Sequence, residues 1–150
     1  MTQIEPNSAP RGNEVVLLVE PEPETRKLAA FMLAKQGYQI LEARNAMDAL
    51  KIYDECHAAV DLLLTEAVMA RVNGHELAQL LMEQKPALRI LLLADAHYER
   101  LTRRIAAGKG LAFLPRPFTM NGLAGKVREV LDARAAPKPM TRTAARWTHY

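Results

Sequence analysis

Charged residues directly follow several short apolar segments of this chain. Glu20 and Glu22 follow the first segment, Glu66 follows the third, and Asp95 follows the fourth. Arg116 follows the fifth. Carboxylates gathered at one place suit a metal cation, and a guanidinium can pair with a carboxylate through its planar fork. These five residues are candidates for a site, provided that the fold brings them together.

The same sequence excludes several common kinds of site. No glycine-rich turn follows the first apolar segment, so binding of a dinucleotide, or of phosphate in a P-loop, is not expected. No Ser/His/Asp or Cys/His set suggests nucleophilic catalysis, and no Cys/His cluster has metal-ligand spacing. Cys56 is the only cysteine, and no apolar run is long enough to span a membrane. A reducing, cytoplasmic setting is therefore expected.

The elements that must position the candidate residues alternate along the chain. Short apolar runs such as Val15–Val19 indicate strands buried on both faces, and the segments between them carry apolar residues at helical spacing. This alternation predicts an α/β fold, a (βα)5 doubly wound parallel sheet whose strands end at one edge, where ligands bind. Strands are predicted at residues 15–19, 38–43, 61–65, 89–94 and 111–114, and helices at 24–36, 45–53, 74–84, 98–107 and 119–131.

Single residues predict where the helices begin, end and face. Pro23 suits the first position of a helix, and Gly37 suits the position after one. Asn45 and Thr119 are predicted to cap two later helices. The inward faces of the first and third helices are predicted to carry Leu28, Met32 and Leu33, and Leu77, Leu80 and Leu81.

Charge and composition divide the chain into three parts. Residues 1–13 are polar and predict a flexible arm, 14–133 predict one domain, and 134–150 predict a loose, basic tail. The net charge is +3, but residues 134–150 contain four basic residues and no acidic residue. The positive charge therefore belongs to the tail, so binding of nucleic acid by the domain is not favoured. The tail itself mixes charges and rings in Arg142, Arg146, Trp147 and Tyr150, which keeps a nucleic-acid accessory role as a distant alternative.

Three motifs stand at the predicted strands: Glu20 and Pro21 after the first, the segment 61–74 at the third, and the segment 113–118 at the fifth. Together they resemble one family, the CheY-like receiver domain of two-component response regulators. In that family the first strand has an acidic end, the third strand and its loop carry the phosphoacceptor, and a Lys-Pro-Phe signature follows the fifth strand. The resemblance covers residues 14–133 and implies a flavodoxin-like sheet with strand order 2-1-3-4-5. Within this family, the sequence is similar to receivers at the C-termini of hybrid sensor kinases.

The residues on which that family's chemistry depends are all replaced. In the family, two adjacent acids and the phosphoacceptor Asp hold Mg²⁺, while a hydroxyl and a Lys contact the phosphoryl group. The resemblance assigns Glu20 and Pro21 to the acidic pair, Glu66 to the phosphoacceptor, Ala94 to the hydroxyl, Arg116 to the lysine and Phe113 to the switch aromatic.

These replacements predict a degenerate receiver, a protein-interaction module that works without phosphorylation, enzymatic activity or a cofactor. Pro21 removes a carboxylate, and the extra methylene of Glu66 displaces its carboxylate from the metal and the phosphoryl group. Glu66 is either a site that has drifted or a mimic of the phosphorylated state, and Arg116 is expected to pair with it. Asp95 is expected to bind loop amides rather than to replace a missing acid.

Two alternatives and a partner surface complete the predictions. A conventional receiver would accept a phosphoryl group from a histidine kinase with Mg²⁺, for which Glu20 and Glu66 are weak candidate ligands, with Glu22 or Asp95 as further acids that could supply the lost charge. A degenerate receiver would instead bind a protein, such as a histidine kinase or another two-component protein.

The resemblance implies a surface on the fourth helix, fifth strand and fifth helix, and the basic residues there favour an acidic partner. This surface is predicted to contain Tyr98, Arg103, Arg104, Phe113, Lys126 and Arg128.

Overall fold

A computed structural model describes residues 9–56 and 59–133 as five strands that alternate with five helices. The strands are parallel and lie in the order β2-β1-β3-β4-β5, which confirms the predicted fold and strand order. The strands are β1 (Val15–Val19), β2 (Gln39–Ala43), β3 (Leu62–Glu66), β4 (Arg89–Ala94) and β5 (Ala112–Pro115). The helices are α1 (Pro23–Lys35), α2 (Ala46–Cys56), α3 (Gly74–Gln84), α4 (Glu99–Lys109) and α5 (Met120–Asp132).

The core consists of two apolar layers, one on each face of the sheet. Alternate residues of β1 enter different layers: Leu17 and Val19 pack with α2 and α3, while Val16 and Leu18 pack with α1 and α5. Because both faces are covered, the central strands carry consecutive apolar residues, such as Leu62, Leu63 and Leu64 of β3, rather than apolar residues at every second position. Among the helices of the described residues, none is long and apolar enough to cross a membrane.

Most of the predicted helix signals act as expected. Pro23 begins α1, Gly37 follows its C-cap with φ +103°, and Asn45 Oδ1 accepts a hydrogen bond from the Asp48 amide at 2.8 Å. Thr119 Oγ1 accepts one from the Gly122 amide at 2.9 Å. The predicted helix 98–107 instead begins at Glu99, after a 3₁₀ turn at Ala96–Tyr98, and ends at Lys109.

The prediction that Leu28 and Leu80 face the core is wrong. Leu28 is 53% exposed, because the buried face of α1 is formed by Ala29, Ala30 and Leu33. Leu80 is 41% exposed on α3 for the same kind of reason, since Leu77 and Leu81 occupy the face that packs on the sheet. Small alanines let α1 approach the sheet closely, and apolar size alone did not identify the inward side.

Part of the predicted N-terminal arm is held against α1. Gln36 is fully buried, and its Nε2 donates hydrogen bonds to the carbonyl oxygens of Ala9 and Pro10, both at 2.8 Å. The Gly12 amide donates to the Gln36 carbonyl at 2.9 Å. Residues 9–13 are thus packed on the domain, whereas 1–8 and the predicted basic tail 134–150 lie outside the described residues.

Gly37 offers a test of this packing. Its φ of +103° disfavours any side chain, and a Cβ there would collide with the backbone carbonyl of Gly12. We expect Gly37→Ala to lower the free energy of unfolding by about 2 kcal/mol. Gly108→Ala is the matched control, because a Cβ at that helical position meets no atom within 4 Å, and it should raise stability by roughly 0.5–1 kcal/mol. Urea unfolding measures both, and equal effects would contradict the packing of Gly12 on Gly37.

Candidate functional site

The carboxyl edge of the sheet carries an open pocket of about 580 Å³. All five candidate residues line it, so the sheet topology brings together side chains that are far apart in sequence. They are Glu20, Glu22, Glu66, Asp95 and Arg116. Pro21, Thr25 and Val68 also line the pocket, and sequence reasoning gave no role to the last two.

Glu66 is the last residue of β3, and neighbouring backbone fixes its position. It lies opposite Leu93 of β4, and the following amide of Ala67 donates to the Leu93 carbonyl at 2.7 Å. Gly74 begins α3 so close to the Glu66 carbonyl that a Cβ would overlap it. The Glu66 side chain is consequently held in the interior, and the residue is only 5% exposed.

Arg116 directly follows β5 at one edge of the sheet, and its side chain extends from there into the pocket. Its amide donates to the Ala94 carbonyl at 2.7 Å, and its peptide bond to Pro117 is cis. Strands in a sheet lie about 4.8 Å apart, so β3 is roughly 10 Å and β1 roughly 14 Å from β5. A long side chain is therefore needed to connect these strand ends, and arginine provides one.

The Arg116 guanidinium joins two buried carboxylates. Its Nη2 donates a short hydrogen bond to Glu66 Oε1 and lies 3.4 Å from Glu20 Oε1. The predicted pair of Arg116 with Glu66 is confirmed. The contact with Glu20, which is 3% exposed, was not predicted, since sequence spacing gives no distance between the ends of β1 and β5.

Glu20 is held by two further contacts. Its Oε2 accepts a hydrogen bond from the Glu22 amide at 2.9 Å, and its carbonyl accepts one from Arg26 Nη1 at 2.8 Å. Arg26 Nε also pairs with Glu42 on β2 at 3.3 Å. Sequence analysis overlooked Arg26; the available signal was a basic residue in the first turns of a helix whose start is acidic.

The electrostatics of the pocket favour a proton on Glu66. Burial above all, opposed by the Arg116 guanidinium and assisted by the negative charges of Glu20 and Asp95, raises the pKa of its carboxyl from an ordinary 4.5 to about 8. One cation facing two buried carboxylates neutralises only one charge. A proton on Glu66 neutralises the other.

The remaining predicted residues are not directed at the pocket centre. Asp95 Oδ1 accepts hydrogen bonds from the amides of His97 at 3.0 Å and Tyr98 at 3.3 Å, which confirms its expected role in the loop. Ala94 is fully buried and carries no hydroxyl. Phe113 is half-buried, and the Arg103 guanidinium covers its ring with 5.2 Å between the guanidinium carbon and the ring centroid.

The residues that line the pocket do not fit Mg²⁺, which requires near-octahedral oxygen ligands. The Arg116 guanidinium lies at the two carboxylates that would have to bind the metal, and Pro21 has no side-chain oxygen. Within residues 9–56 and 59–133, no group of three or more His, Cys, Asp or Glu side chains is arranged to hold a metal ion. The site is therefore an internal ion-pair cluster.

The fold and this arrangement of strand ends agree with comparisons to known proteins. A family model for the response regulator receiver domain matches residues 16–128. The chain belongs to this receiver domain family. It is CheY-like and of the kind used in two-component signalling.

Two curated relatives and one solved structure illustrate the similarity. Sensor kinase CckA of Brucella abortus (strain 2308) is 31% identical over 121 residues, which cover 81% of this chain but only 13% of the kinase. The response regulator receiver protein CpdR of the same strain is 28% identical over 118 residues, covering 79% of this chain and 97% of CpdR. The crystal structure of the receiver domain from hybrid histidine kinase CckA superposes with a TM-score of 0.66 at 27% identity, covering 79% and 99% of the two chains.

The raised pKa of Glu66 predicts a specific dependence of stability on pH. Below pH 4.5 the carboxyl is protonated in the folded and unfolded chains alike, so its burial costs little. Between pH 4.5 and about 8 the unfolded chain loses this proton and the folded chain keeps it, so stability falls as the pH rises. Relative to Glu66→Gln, the free energy of unfolding of the natural chain should fall by on the order of 4 kcal/mol across this interval. Each unit of pKa shift corresponds to about 1.4 kcal/mol.

Urea unfolding at several pH values measures this difference. Glu129→Gln is the matched control, because that carboxylate lies on α5 with its side chain 67% exposed. The control should follow the natural chain at every pH. A constant difference between the natural chain and Glu66→Gln from pH 4.5 to 8.5 would contradict the proposed proton on Glu66.

Proposed function

We propose that this chain is a degenerate receiver that binds a protein partner in two-component signalling without being phosphorylated. The observation that carries the proposal is the state of Glu66, the residue assigned to the phosphoacceptor position. Its carboxyl is buried and hydrogen-bonded to Arg116, and its pKa, raised to about 8 by burial, favours the protonated form at neutral pH. A phosphoacceptor must present an ionised, accessible oxygen to the incoming phosphorus atom, and this carboxyl does neither.

The groups that would assist phosphoryl transfer are also missing. Transfer of a phosphoryl group depends on positioning and on neutralising its charge, for which metal ions and hydrogen-bond donors are the usual means. Pro21 supplies no carboxylate for a metal, and the methyl group of Ala94 supplies no donor. The guanidinium of Arg116 is already engaged with Glu20 and Glu66. Each of these losses is sufficient to slow phosphoryl transfer. Together they leave the receiver fold without the groups that assist this reaction.

A series of variants tests whether phosphorylation is absent for these reasons. We expect no covalent phosphate from acetyl phosphate and Mg²⁺ on the natural chain or on Glu66→Asp, because both lack the second carboxylate. Glu66→Asp with Pro21→Asp should become phosphorylated slowly, since a bound metal ion would neutralise the incoming group. Adding Ala94→Thr and Arg116→Lys should accelerate the reaction more than additively. Intact mass measures phosphate per molecule, and circular dichroism verifies that each variant is folded.

The conventional receiver is the outcome that would contradict this proposal. Robust phosphorylation of the natural chain, or of Glu66→Asp alone, would mean that Pro21 does not disable the site. A matched control is Glu22→Asp with Pro21→Asp, which adds the same carboxylate while leaving Glu66 in place. It should remain free of phosphate.

We further propose that the partner binds on α4 and the adjoining part of β5. Arg104 is exposed there, and Arg103 is exposed although it pairs with Glu99 at 2.7 Å. Leu101, 51% exposed, provides an apolar contact beside them. The predicted contribution of α5 is smaller than expected. Lys126 pairs with Glu129 at 3.2 Å, and Arg128 is paired with Glu14 at 2.6 Å and with Asp132 at 2.9 Å, next to Tyr38 and away from β5.

The basic character of this surface therefore rests mainly on α4, and it favours an acidic partner. The similarity to the receiver domain from hybrid histidine kinase CckA supports a partner from a two-component system. The predicted cytoplasmic setting agrees with such a partner and remains a prediction.

Site-specific crosslinking tests this surface in cells. A photoreactive amino acid at Leu101 on α4 should crosslink a protein partner, whereas one at Met47 on α2, which is 65% exposed, should not. Arg100 is also exposed on α4. Arg100→Glu with Arg104→Glu should reduce the Leu101 adduct about tenfold or more, because reversed charges repel an acidic surface. Equal adducts from the two positions, or no effect of the charge reversal, would exclude α4 as the binding surface.

A further inference from the structure

A second open cleft lies between the first turns of α3 and the end of α4, and we call it the α3–α4 cleft. Its volume is about 490 Å³, which is within the usual range of ligand-binding clefts. Three basic side chains and two apolar ones are prominent in its lining: Arg71, His75 and Lys109, with Val72 and Leu80. The pocket at the carboxyl edge shares none of these residues.

The charges of the α3–α4 cleft are not balanced within the protein. Across residues 9–56 and 59–133, none of its three basic side chains takes part in an ion pair. The acid in the lining, Glu76, is already engaged, because its Oε1 accepts a hydrogen bond from the Asn73 amide at 2.8 Å at the start of α3. The cleft therefore presents positive charge to solvent, which is complementary to an acidic ligand.

Leu80 gives the same cleft an apolar contact. It is 41% exposed, because Leu77 and Leu81 form the face of α3 that packs on the sheet. Val72, which is half-buried, lies in the same lining. A ligand that carries a large apolar side chain would remove this surface from water and gain affinity by doing so.

Hydrogen bonds fix the loop that carries Arg71 before any ligand arrives. The Met69 amide donates to Asn73 Oδ1 at 3.0 Å, and the Val72 amide donates to the Ala70 carbonyl at 2.8 Å. Between these contacts Arg71 adopts a left-handed backbone with φ +71°. Because this loop is ordered in the unbound protein, a ligand does not have to order it on binding.

We propose that the α3–α4 cleft binds an acidic segment of a partner protein, in which carboxylates flank one large apolar side chain. The carboxylates contact Arg71 and Lys109, and the apolar side chain covers Leu80. A protein segment fits better than a small molecule, because sites for small molecules bury most of the ligand and this cleft is open. The inference goes beyond the proposed function and does not depend on it, since the site uses α3 and the last residue of α4 rather than β5.

A synthetic peptide tests the proposal on the full chain. The probe is a capped peptide with one central leucine and glutamate at every other position. In a titration followed by NMR, it should shift the amide signals of Val72, His75 and Leu80 and saturate with a dissociation constant of about 1 mM or below. Added salt should weaken the binding, because exposed charges are screened. The same peptide with lysine in place of glutamate should not shift these signals.

Charge-removing variants test the two proposed contacts with carboxylates. Arg71→Asn with Lys109→Ala removes both permanent charges, and asparagine tolerates the left-handed backbone at the first position. Peptide binding should weaken about fivefold or more, and Lys109→Ala alone should weaken it about twofold. The matched control is Arg11→Ala with Lys51→Ala, which removes two exposed positive charges outside the cleft and should bind like the natural chain.

Leu80→Ala tests the apolar contact. It should weaken peptide binding about fivefold, because less apolar surface is buried. Met47→Ala is the matched control, since that side chain is 65% exposed on α2 and should have no effect. A peptide with glycine in place of its leucine should bind the natural chain and Leu80→Ala equally, because the two changes remove the same contact.

Three outcomes would overturn the proposal. The first is the absence of saturable shifts at Val72, His75 and Leu80. The second is a set of shifts at Arg104 and Phe113 or in residues 134–150 instead, which would place the peptide on the α4 and β5 surface or on the basic tail. The third is equal weakening by the charge control, which would mean that net charge alone attracts the peptide. Phosphorylation of the natural chain would contradict the proposed function and leave the result for this cleft unchanged.

Discussion

The contact of Arg116 with Glu20 and Glu66 is the interaction on which the site of this protein depends. Two carboxylates buried at neighbouring strand ends repel each other when both are charged, and a positive group between them relieves that repulsion. Arg116 crosses the sheet edge to supply one positive charge, and the raised pKa of Glu66, about 8, favours a proton on its carboxyl. The same contact ties the loop after β5 to the ends of β1 and β3, so charge balance and loop position are a single constraint.

That constraint changes what a receiver fold can do. The topology still delivers the ends of four strands to one pocket, as the parallel order β2-β1-β3-β4-β5 requires. What differs is the chemistry of the delivered groups. Pro21 carries no carboxylate and Ala94 no hydroxyl, and Arg116 pairs with both buried carboxylates. We propose a module whose conformational state is set when it folds, and whose signalling output depends on which protein binds α4.

The scaffold tolerates these changes because its stability comes from elsewhere. The two apolar layers on the faces of the sheet bury the central strands, and they involve none of the charged residues in the pocket. Small residues provide the close approaches: Gly74 lets α3 begin against the Glu66 carbonyl, and Ala29 and Ala30 let α1 lie near the sheet. The packing of the sheet and helices therefore does not depend on the charged residues in the pocket.

The sequence by itself determined the (βα)5 fold, most helix ends and the set of residues at the carboxyl edge, because strand burial, caps and order along the chain are local or topological properties. It also predicted the Arg116–Glu66 pair. Only the tertiary structure decided that Glu20 shares Arg116, that Arg128 turns toward Glu14, and that Leu28 faces solvent. These outcomes depend on distances between elements and on which helix face packs on the sheet, and no spacing along the chain contains those distances.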